Sequence, residues 1–521
     1  MSDAIVKNLS FGNEAKDQIF KGIEKLTNAV SSTLGASGKC VILEDSSGQP
    51  IITKDGVTVA NSIILLDPVE NMGCTLLKEA ARKTVGEAGD GTTTATVLSH
   101  AILKSAYEHL DQQNTRDIKD GILNGVKKII KYLETKALPV KGNKIDQVAT
   151  IATNNDKELG KLIGQAFRNV GETGLVIMEP SSLGETKVDI VEGVEYNKGF
   201  VHPQLITNKE KGIVELDKPL VLIMDSRVES IRQIQPILEY IIKEKKPLLI
   251  IGEVEDSVLS ALVMNKMKGN VKVNVLDPPS FGLRRKEILE DISLLTGAVV
   301  VNETLGDNLD SIQTEYLGSC LKVTTEADKS IIRVEETNEE AKEIIKDIKA
   351  KLKKKNKEHI RIGLEQRLGR LSAKVAIVKV GANSELELKE KCDRVEDAIC
   401  ATKAAIKEGI VAGGGVALLN ASKALDKKDI GEKILNEAIH APFKTILDNA
   451  GITNVDFTLS SINLDEGINV ISGEIVNMIN AGIIDPLLVT KSALTNAASV
   501  ATTILSTDCV INNIRNYESN R

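Results

Sequence analysis

Aromatic residues are scarce in this chain of 521 residues: Phe, Tyr and Trp together make up 2%, and Trp is absent. Proteins that stack nucleobases or sugar rings need aromatic side chains, so the composition argues against such a stacking surface. Basic residues are not in surplus either, because 66 Lys and Arg face 73 Asp and Glu, a net charge of −7. Since nucleic-acid binding requires excess positive charge, we expect no nucleic-acid partner.

Long apolar runs and paired cysteines are also missing. No stretch of about 18 uninterrupted apolar residues occurs, so we expect no membrane span. The N-terminal residues lack the apolar core of a signal peptide. The six cysteines are scattered without a C-x-x-C pair, which argues against a disulfide framework or a zinc site and is typical of a reducing compartment. We therefore expect a cytoplasmic protein.

Both ends of the chain show the periodicity of amphipathic helices. Apolar residues recur at three- and four-residue steps from Glu14 to Leu34, with Asn13 as the expected N-cap. Further helical patterns run over Glu70–Gly86, Thr92–Leu110, Asp117–Leu133, Lys389–Glu408, Val416–Leu425 and Lys433–Ala450. The two ends resemble each other and differ from the middle, so we predict one helical domain built from both.

A different pattern occupies the middle of the chain. Short, branched apolar runs alternate there with helical patterns, which indicates βαβ units and a parallel sheet. The predicted strands are Leu220–Met224, Leu248–Ile251, Val271–Leu276 and Ala298–Val301, and the predicted helices are Glu229–Lys245, Ser257–Lys268 and Arg284–Leu295. No glycine-rich phosphate turn follows these strands, so we predict an inserted α/β domain without a nucleotide site.

The most informative motif is Gly89–Thr96, in which Gly-Asp-Gly precedes three threonines. The glycines leave room for an anion beside the backbone, and the threonines open a helix whose N–H groups can bind phosphate oxygens. The carboxylate of Asp90 can hold Mg²⁺ against those phosphates. A plain cluster of N-cap residues is the alternative, but three threonines after Gly-Asp-Gly favour phosphate.

Three other segments are less specific. Thr33–Lys39 misses the spacing of a P-loop, and a helix C-cap at Gly35 explains it equally well. Val411–Ala417 is either a turn for close backbone approach or a tight loop between helices. Arg394–Ala398 carries carboxylates on an ordinary helix, where exposure is the default.

The motifs stand in a recognisable order. Along the chain they read T-L-G, T-K-D-G-V-T, G-D-G-T-T-T-A-T, R-V-E-D-A and V-A-G-G-G-V-A. From Phe11 to Cys509, and including Gly482–Pro486, the chain resembles a group I, bacterial-type chaperonin of the GroEL-like family. Group II chaperonins share G-D-G-T-T but differ in the other motifs and in the middle domain.

The resemblance implies an α+β multidomain fold. A discontinuous all-helical equatorial domain, residues 1–135 and 409–521, would bind ATP. An intermediate hinge domain, residues 136–191 and 376–408, would connect it to an inserted α/β apical domain, residues 192–375, that binds polypeptide. Subunits would form seven-membered rings around a cavity in which ATP turnover promotes the folding of non-native polypeptides, and a co-chaperonin could serve as a lid.

The family's nucleotide site carries over by position. Its implied residues are Thr33, Leu34, Gly35, Ala36, Lys54, Asp90, Gly91, Thr92, Thr93, Thr94, Gly414, Asn469 and Asp485. Asp90 would bind Mg²⁺, and K⁺ would lie near Thr33 and Lys54. Asp397 would position the attacking water with help from Asp55, which suits phosphoryl transfer because that reaction needs neutralised charge and an oriented water.

The implied polypeptide-binding surface lies on the apical domain. Its residues are Phe200, His202, Gln204, Leu205, Leu238, Leu259, Val263 and Met264. Exposed apolar side chains accept many unfolded segments because apolar burial is non-directional. From the residues alone, Leu259 and Val263 could equally be helix-core residues, and only the resemblance places them on the surface.

Some departures from the family pattern fall in the two binding sites. Gln204 and Gln235 stand where the family usually has Tyr and Leu, which makes the apical groove more polar. Ala36 replaces a proline of the first ATP loop, and Ala152 replaces a serine near the nucleotide.

Other departures concern movement and assembly. Ala373-Lys374 replaces a glycine pair at the upper hinge and leaves Gly193 as the clearer hinge glycine, so apical rotation would be restricted. Ile452 stands where the family often has an acidic inter-ring contact, which is consistent with one ring. The C-terminal residues 512–521 lack a flexible Gly-Gly-Met tail.

Two other functions are compatible with the residues. A ring scaffold could bind polypeptide without cycling ATP, which the altered hinge and groove favour. A small-molecule kinase could use Gly89–Thr96 as its phosphate loop, but no constellation for an acceptor substrate is visible in the sequence.

Overall fold

The computed structural model describes residues 7–44, 48–110, 114–142, 144–153, 156–171, 174–181, 184–278, 282–303, 307, 312–334, 339–352, 364, 367–372, 374–426, 428–452 and 462–513. The chain forms two compact units. The first contains residues 1–165, 180–186 and 380–521, and the second contains residues 166–179 and 187–379. Both ends of the chain therefore contribute to one unit. The division into equatorial, intermediate and apical domains stays a prediction.

Helices and strands are numbered in chain order. The helices are α1 (Gly12–Ser31), α2 (Gly56–Ser62), α3 (Pro68–Ala88), α4 (Thr92–Tyr107), α5 (Thr115–Lys136), α6 (Lys144–Ala152), α7 (Lys157–Val170), α8 (Gln235–Glu244), α9 (Asp256–Met267), α10 (Gly282–Thr296), α11 (Glu339–Leu352), α12 (Glu385–Glu408), α13 (Val416–Ala421), α14 (Ile430–Ala438), α15 (Ala441–Asn449) and α16 (Leu487–Leu505). The strands are β1 (Lys7–Phe11), β2 (Val41–Glu44), β3 (Pro50–Thr53), β4 (Leu175–Pro180), β5 (Lys187–Tyr196), β6 (Val214–Asp217), β7 (Leu220–Met224), β8 (Leu248–Ile251), β9 (Val273–Leu276), β10 (Val300–Val301), β11 (Gly318–Ser319), β12 (Lys322–Thr325), β13 (Ser330–Val334), β14 (Lys374–Val380), β15 (Ile410–Ala412), β16 (Glu466–Asn469), β17 (Glu474–Asn477), β18 (Ile484–Pro486) and β19 (Cys509–Asn513).

Helix α1 shows how the first unit buries its apolar residues. Ile19, Ile23 and Leu26 are at most 3% exposed, so the residues that recur at helical spacing form the face that packs on the core. The helix begins at Gly12, and its N-cap is Phe11, which makes no side-chain capping bond. The expectation that Asn13 is the N-cap is therefore wrong.

The predicted helix over Lys433–Ala450 is two helices, α14 and α15. Pro442 lies in the first turn of α15. Proline has no backbone N–H and its ring clashes with the preceding turn, so α14 cannot continue through it. This break was readable from the sequence.

Short antiparallel pairs interrupt the helical character of the first unit. β1 pairs with β19, β2 with β3, β15 with β18 and β16 with β17. The expectation of an all-helical domain is therefore wrong, although helices make up most of the unit. In the β1–β19 pair, Lys7 lies opposite Asn513, so residues near both ends of the chain are held together.

The second unit contains the predicted parallel sheet. Its parallel strands have the order β10-β7-β8-β9, with Leu220 of β7, Leu248 of β8 and Val273 of β9 side by side, and the fifth strand, β11, pairs antiparallel with β7. Helices α8, α9 and α10 connect these strands along the chain. All residues of β8 and β9 are buried, which explains the continuous apolar runs in the sequence. The βαβ prediction is confirmed.

A second sheet in this unit has the strand order β4-β14-β5-β13-β12-β6. Gly193 is a residue of β5 and lies opposite Arg333. A Cβ added to Gly193 would lie 2.7 Å from the carbonyl oxygen of Ile332, so this glycine allows close backbone approach within a ladder. Of the hinge pair, Lys374 begins β14 and Ala373 lies outside the described residues.

Within the ranges given above, no helix is long and apolar enough to cross a membrane.

Candidate functional site

The turn between α3 and α4 leaves the start of a helix without a side-chain cap. Gly89 (φ 73°) and Gly91 (φ 93°) both have left-handed backbone conformations, which glycine adopts without strain. Gly91 is the N-cap of α4 and makes no side-chain capping bond. The first backbone hydrogen bond of α4 runs from Ala95 N–H to Gly91 O, 2.9 Å. The N–H groups of the first helical turn are therefore available to an anion.

The start of α2 packs against this turn. Asp55 caps α2 and accepts hydrogen bonds from the N–H groups of Val57 (3.1 Å) and Thr58 (2.7 Å). A Cβ added to Gly56 would overlap the hydroxyl oxygen of Thr93. Two motifs that lie far apart in the sequence are thus in contact, which places Asp55 beside the first turn of α4.

Helix α12 lies against the same turn. A Cβ added to Gly89 would overlap the Cβ of Cys400 and lie 2.7 Å from its Sγ. Only glycine permits α12 to approach so closely. Because Asp397 precedes Cys400 by three residues, it lies on the same face of α12.

A second glycine turn brings in Asp485. Gly414 (φ 64°) and Gly415 (φ 79°) follow β15 with consecutive left-handed conformations. Val411 of β15 pairs with Asp485 of β18, and the N–H groups of both glycines form hydrogen bonds to the Asp485 carboxylate. This turn and Asp485 are therefore one structural feature.

The remaining predicted nucleotide residues have partners elsewhere. The hydroxyl of Thr33 donates to Val30 O at 2.8 Å. The amide of Asn449 donates to the carbonyl oxygen of Leu34 at 2.9 Å, which ties this loop to the end of α15. The side chain of Asn469 accepts the Ile471 N–H at 3.1 Å.

These contacts do not connect every predicted nucleotide-binding residue to the three carboxylates. Lys54 adjoins Asp55 in the chain, and Ala36 is exposed in the turn after α1. No contact described in this structure links the Thr33–Ala36 loop or Asn469 to the carboxylates. Their place in one site stays a prediction.

The carboxylates that do meet have raised pKa values. Desolvation, followed by the charge of Asp90, raises the pKa of Asp397 to about 9. The same two causes raise the pKa of Asp485 to about 7. Desolvation also raises the pKa of Asp90, although the N–H of Gly91 donates to its carboxylate and opposes the shift. Asp90 therefore acts electrostatically on both Asp397 and Asp485, which come from distant parts of the chain.

This arrangement fits a cation that is bound by one protein carboxylate and takes its remaining ligands from a nucleotide and from water. Among the residues the structure describes, no three His, Cys, Asp or Glu side chains are grouped to hold a metal ion. Mg²⁺ in nucleotide sites uses one or two carboxylates and takes its other ligands from phosphates and water. Asp90, beside an uncapped helix start, has the chemistry for that kind of site.

One acidic residue of this site was missed from the sequence. Asp393, on α12, is half-buried, and desolvation together with the charge of Asp55 raises its pKa to about 6. The available signal was its spacing of four residues before Asp397, which places both on one helix face.

The predicted polypeptide-binding residues of the second unit divide by exposure. Met264 is 58% exposed on α9. Gln204 is also exposed. Four members of the set are half-buried, namely Phe200, His202, Leu238 and Leu259. Leu205 and Val263 are 0% and 5% exposed, so the expectation that they present apolar surface is wrong. Val263 lies on the face of α9 that packs on the sheet with Leu262.

Sequence reasoning also missed apolar surface in this unit. Met267, on α9, and Ile242, on α8, are 65% and 50% exposed. Met267 follows Met264 by three residues, so the two side chains are neighbours on one helix face. Two flexible thioethers can adapt to differently shaped apolar partners.

The polar replacements in this unit have defined contacts. Lys266 donates to the carbonyl oxygens of Gln204 (2.8 Å) and Ile206 (2.7 Å), which fastens their segment to α9. The side-chain amide of Gln235 donates to Glu239 at 2.8 Å. Both glutamines are exposed, and their effect on polypeptide binding stays a prediction.

Two further departures from the family pattern lie in the first unit. Ala152 ends α6 and is half-buried. Ile452 packs partly against a cluster that contains Phe443 and Leu447. Of the C-terminal segment, residues 514–521 lie outside the described residues.

Comparisons with known proteins agree with the motifs. Residues 26–515 match the model of the TCP-1/cpn60 chaperonin family. Among solved structures, the chain is similar to the chaperonin gp146 from the bacteriophage EL 2 (Pseudomonas aeruginosa) in the presence of ATP-BeFx. For crystal form II the TM-score is 0.72 at 22% identity, with 99% of this chain and 100% of that chain covered. For crystal form I the TM-score is 0.65 at 22% identity, with 97% and 99% covered.

Proposed function

The chain belongs to the TCP-1/cpn60 chaperonin family, and from this premise we propose that it is an ATP-dependent chaperonin. It binds non-native polypeptides and promotes their folding inside the cavity of an oligomeric ring. The observation that carries the proposal is the convergence of Asp90, Asp397 and Asp485 at the uncapped start of α4. Such a site can bind a phosphate chain and orient a water.

Nucleotide binding would use backbone groups and one carboxylate. The N–H groups of Thr92, Thr93 and Thr94 lie at the positive end of α4 and would bind phosphate oxygens. Asp90 would hold Mg²⁺, which neutralises phosphate charge. K⁺ near Thr33 and Lys54 completes the proposed set of cofactors.

Hydrolysis would depend on Asp397. Its pKa is raised to about 9 by desolvation and by the charge of Asp90, so it is protonated at neutral pH until a cation reduces the repulsion. A bound cation would lower that pKa, because an opposite charge favours the ionised carboxylate. Asp397 could then accept a hydrogen bond from the attacking water. Asp55, the cap of α2, is close enough to Asp397 for its charge to act on it and would assist in positioning the water.

Polypeptide binding would use the exposed apolar residues of the second unit. Met264 and Met267 present adaptable surface on α9, and Leu238 and Leu259 add half-buried apolar groups. Assembly into seven-membered rings, a co-chaperonin lid and a cytoplasmic location belong to the same proposal.

The decisive variant is Asp397→Ala. We expect it to lower the kcat for Mg²⁺-dependent ATP hydrolysis by about 10²-fold, the usual contribution of a residue that accepts a proton or orients the nucleophile. ADP affinity should stay unchanged, because the phosphate-binding N–H groups are intact. Steady-state turnover and fluorescent-ADP titration measure the two quantities. Glu385→Ala, an exposed carboxylate at the start of α12, is the matched control.

The same experiment separates the two candidate functions. A ring scaffold that does not cycle ATP would show no ATPase activity for Asp397→Ala to remove. A monomeric protein without Mg²⁺-dependent ATPase activity would contradict the proposed function altogether. Electron micrographs with and without ATP report the number of subunits and rings.

A further inference from the structure

Asp393 is a half-buried carboxylate that the proposed function leaves without a role. It precedes Asp397 by four residues and Cys400 by seven on α12. This spacing places the three side chains on one face of the helix. Asp393 is the member of the series farthest toward the N-terminus of α12.

Two contacts show where this face points. Cys400 fills the space left by the missing side chain of Gly89. One turn further along α12, Ala404 packs with Ala88, the last residue of α3, and with Val489 of α16. The face therefore points at the turn between α3 and α4, which carries Asp90.

The groups around Asp393 come from two elements. From α2, the capping carboxylate Asp55 acts on it, and Asp55 also acts on Asp397. From α12 itself, Glu390 and Glu396 add negative charge and Lys389 adds positive charge. Asp55, Asp393 and Asp397 are therefore neighbours on one wall of the proposed hydrolytic site.

The spacing on α12 suits a shared water. Residues four apart on a helix have Cβ atoms about 5–6 Å apart. One water can therefore lie between the two carboxylates and donate a hydrogen bond of about 2.7 Å to an oxygen of each. We propose that Asp393 is a second water-positioning residue: it accepts one hydrogen bond from the attacking water while Asp397 accepts the other. This inference rests on the proposed ATP hydrolysis.

The chemical step gives the two carboxylates different tasks. The water oxygen forms a bond to the γ-phosphorus while the bond from that phosphorus to the bridging oxygen breaks, and the bridging oxygen of ADP keeps the electron pair. One water proton passes to Asp397, and the other stays on the phosphate product. Asp393 takes no proton. It fixes the second O–H bond, and so the direction of the attacking lone pair.

The test compares Asp393→Ala with Glu385→Ala, an exposed carboxylate about 12 Å away along the same helix. Losing one hydrogen bond to the attacking water should lower kcat by about tenfold. The dissociation constant for Mg-ADP should match that of the control, because Asp393 does not bind the phosphates, and the thermal midpoint should not fall below it, because removing a carboxylate with a raised pKa does not destabilise the fold at neutral pH. Asp393→Asn, which keeps an acceptor oxygen, should recover part of the loss.

A double variant checks that both residues act on one water. In the Asp397→Ala background, Asp393→Ala should lower kcat no further, since residues that act as a unit are not additive. A full additional loss would overturn the inference, as would an Asp393→Ala enzyme with wild-type kcat. If the wild-type chain neither binds nor hydrolyses ATP, the proposed function itself fails. If the wild type hydrolyses ATP normally and Asp393→Ala has the same kcat, only this inference is refuted and the proposed function stands.

Discussion

The role and the pKa of each aspartate in this site depend on where it lies in the fold. Asp55 uses its carboxylate to cap α2, whereas Asp397 and Asp485 have pKa values raised to about 9 and about 7. The family resemblance implied that all three are site residues. Their different environments depend on α12 and on the β15–β18 pair, which come from distant parts of the chain.

The raised pKa of Asp397 predicts a pH-dependent stability. In the protein without Mg²⁺ and nucleotide, the folded state keeps a proton on Asp397 that the unfolded chain releases near about pH 4. The stabilisation is complete below that pH and is lost as the pH rises through the folded-state pKa of about 9. Asp397→Asn should therefore unfold at a higher temperature than wild type at pH 9, with no such gain at pH 4. Thermal unfolding at the two pH values measures this.

Glu385→Gln, from the exposed start of α12, serves as the control for that comparison and should follow the wild type. An equal gain for Asp397→Asn at pH 4 and pH 9 would contradict the assigned cause, because a packing effect does not depend on proton binding.

At the scale of elements, one glycine determines how closely α12 approaches the turn between α3 and α4. A side chain at Gly89 would meet Cys400 and would also need a left-handed φ of 73°. Helix periodicity predicted both α3 and α12 from the sequence. It could not show that they touch here, because the contact joins residues more than 300 positions apart.

We expect Gly89→Ala to lower the free energy of unfolding by about 1–3 kcal/mol, the range for a non-glycine residue held in a left-handed conformation. The ATPase kcat should fall as well, since displacing Cys400 moves Asp397 on the same helix face. Urea unfolding and steady-state turnover measure the two effects.

Gly86→Ala is a matched control within α3, because a Cβ at Gly86 meets nothing within 4 Å. It should raise the free energy of unfolding by about 0.5–1 kcal/mol, as alanine is the better helix former. If both alanine variants behaved alike, the contact with Cys400 would not control the site.

For the whole molecule, the two compact units separate the proposed chemistries. Asp90, Asp397 and Asp485 belong to the first unit, whereas Met264 and Met267 belong to the second. The second unit has its own buried cluster built around the parallel sheet. A unit with its own core is able to fold alone.

A fragment of residues 166–379, which contains the second unit, should therefore fold cooperatively and bind no nucleotide. It should bind a reduced, unfolded polypeptide, and Met264→Ser with Met267→Ser should weaken that binding because apolar surface is lost. Circular dichroism during urea unfolding and fluorescence titrations with ADP and labelled polypeptide measure these properties. A fragment without a cooperative transition would show that the unit depends on the rest of the chain.

The sequence alone predicted most helices of the first unit and the inserted βαβ pattern, because periodicity and turn chemistry are local properties, but it did not predict the six-stranded sheet of the second unit or helix α16. Only the tertiary structure decided which side chains are buried and which distant carboxylates meet. It placed Leu205 and Val263 in the core and brought Asp393 to the wall that carries Asp397. Burial and charge repulsion depend on residues that are neighbours in space, and those neighbours are set by packing between segments far apart in the chain.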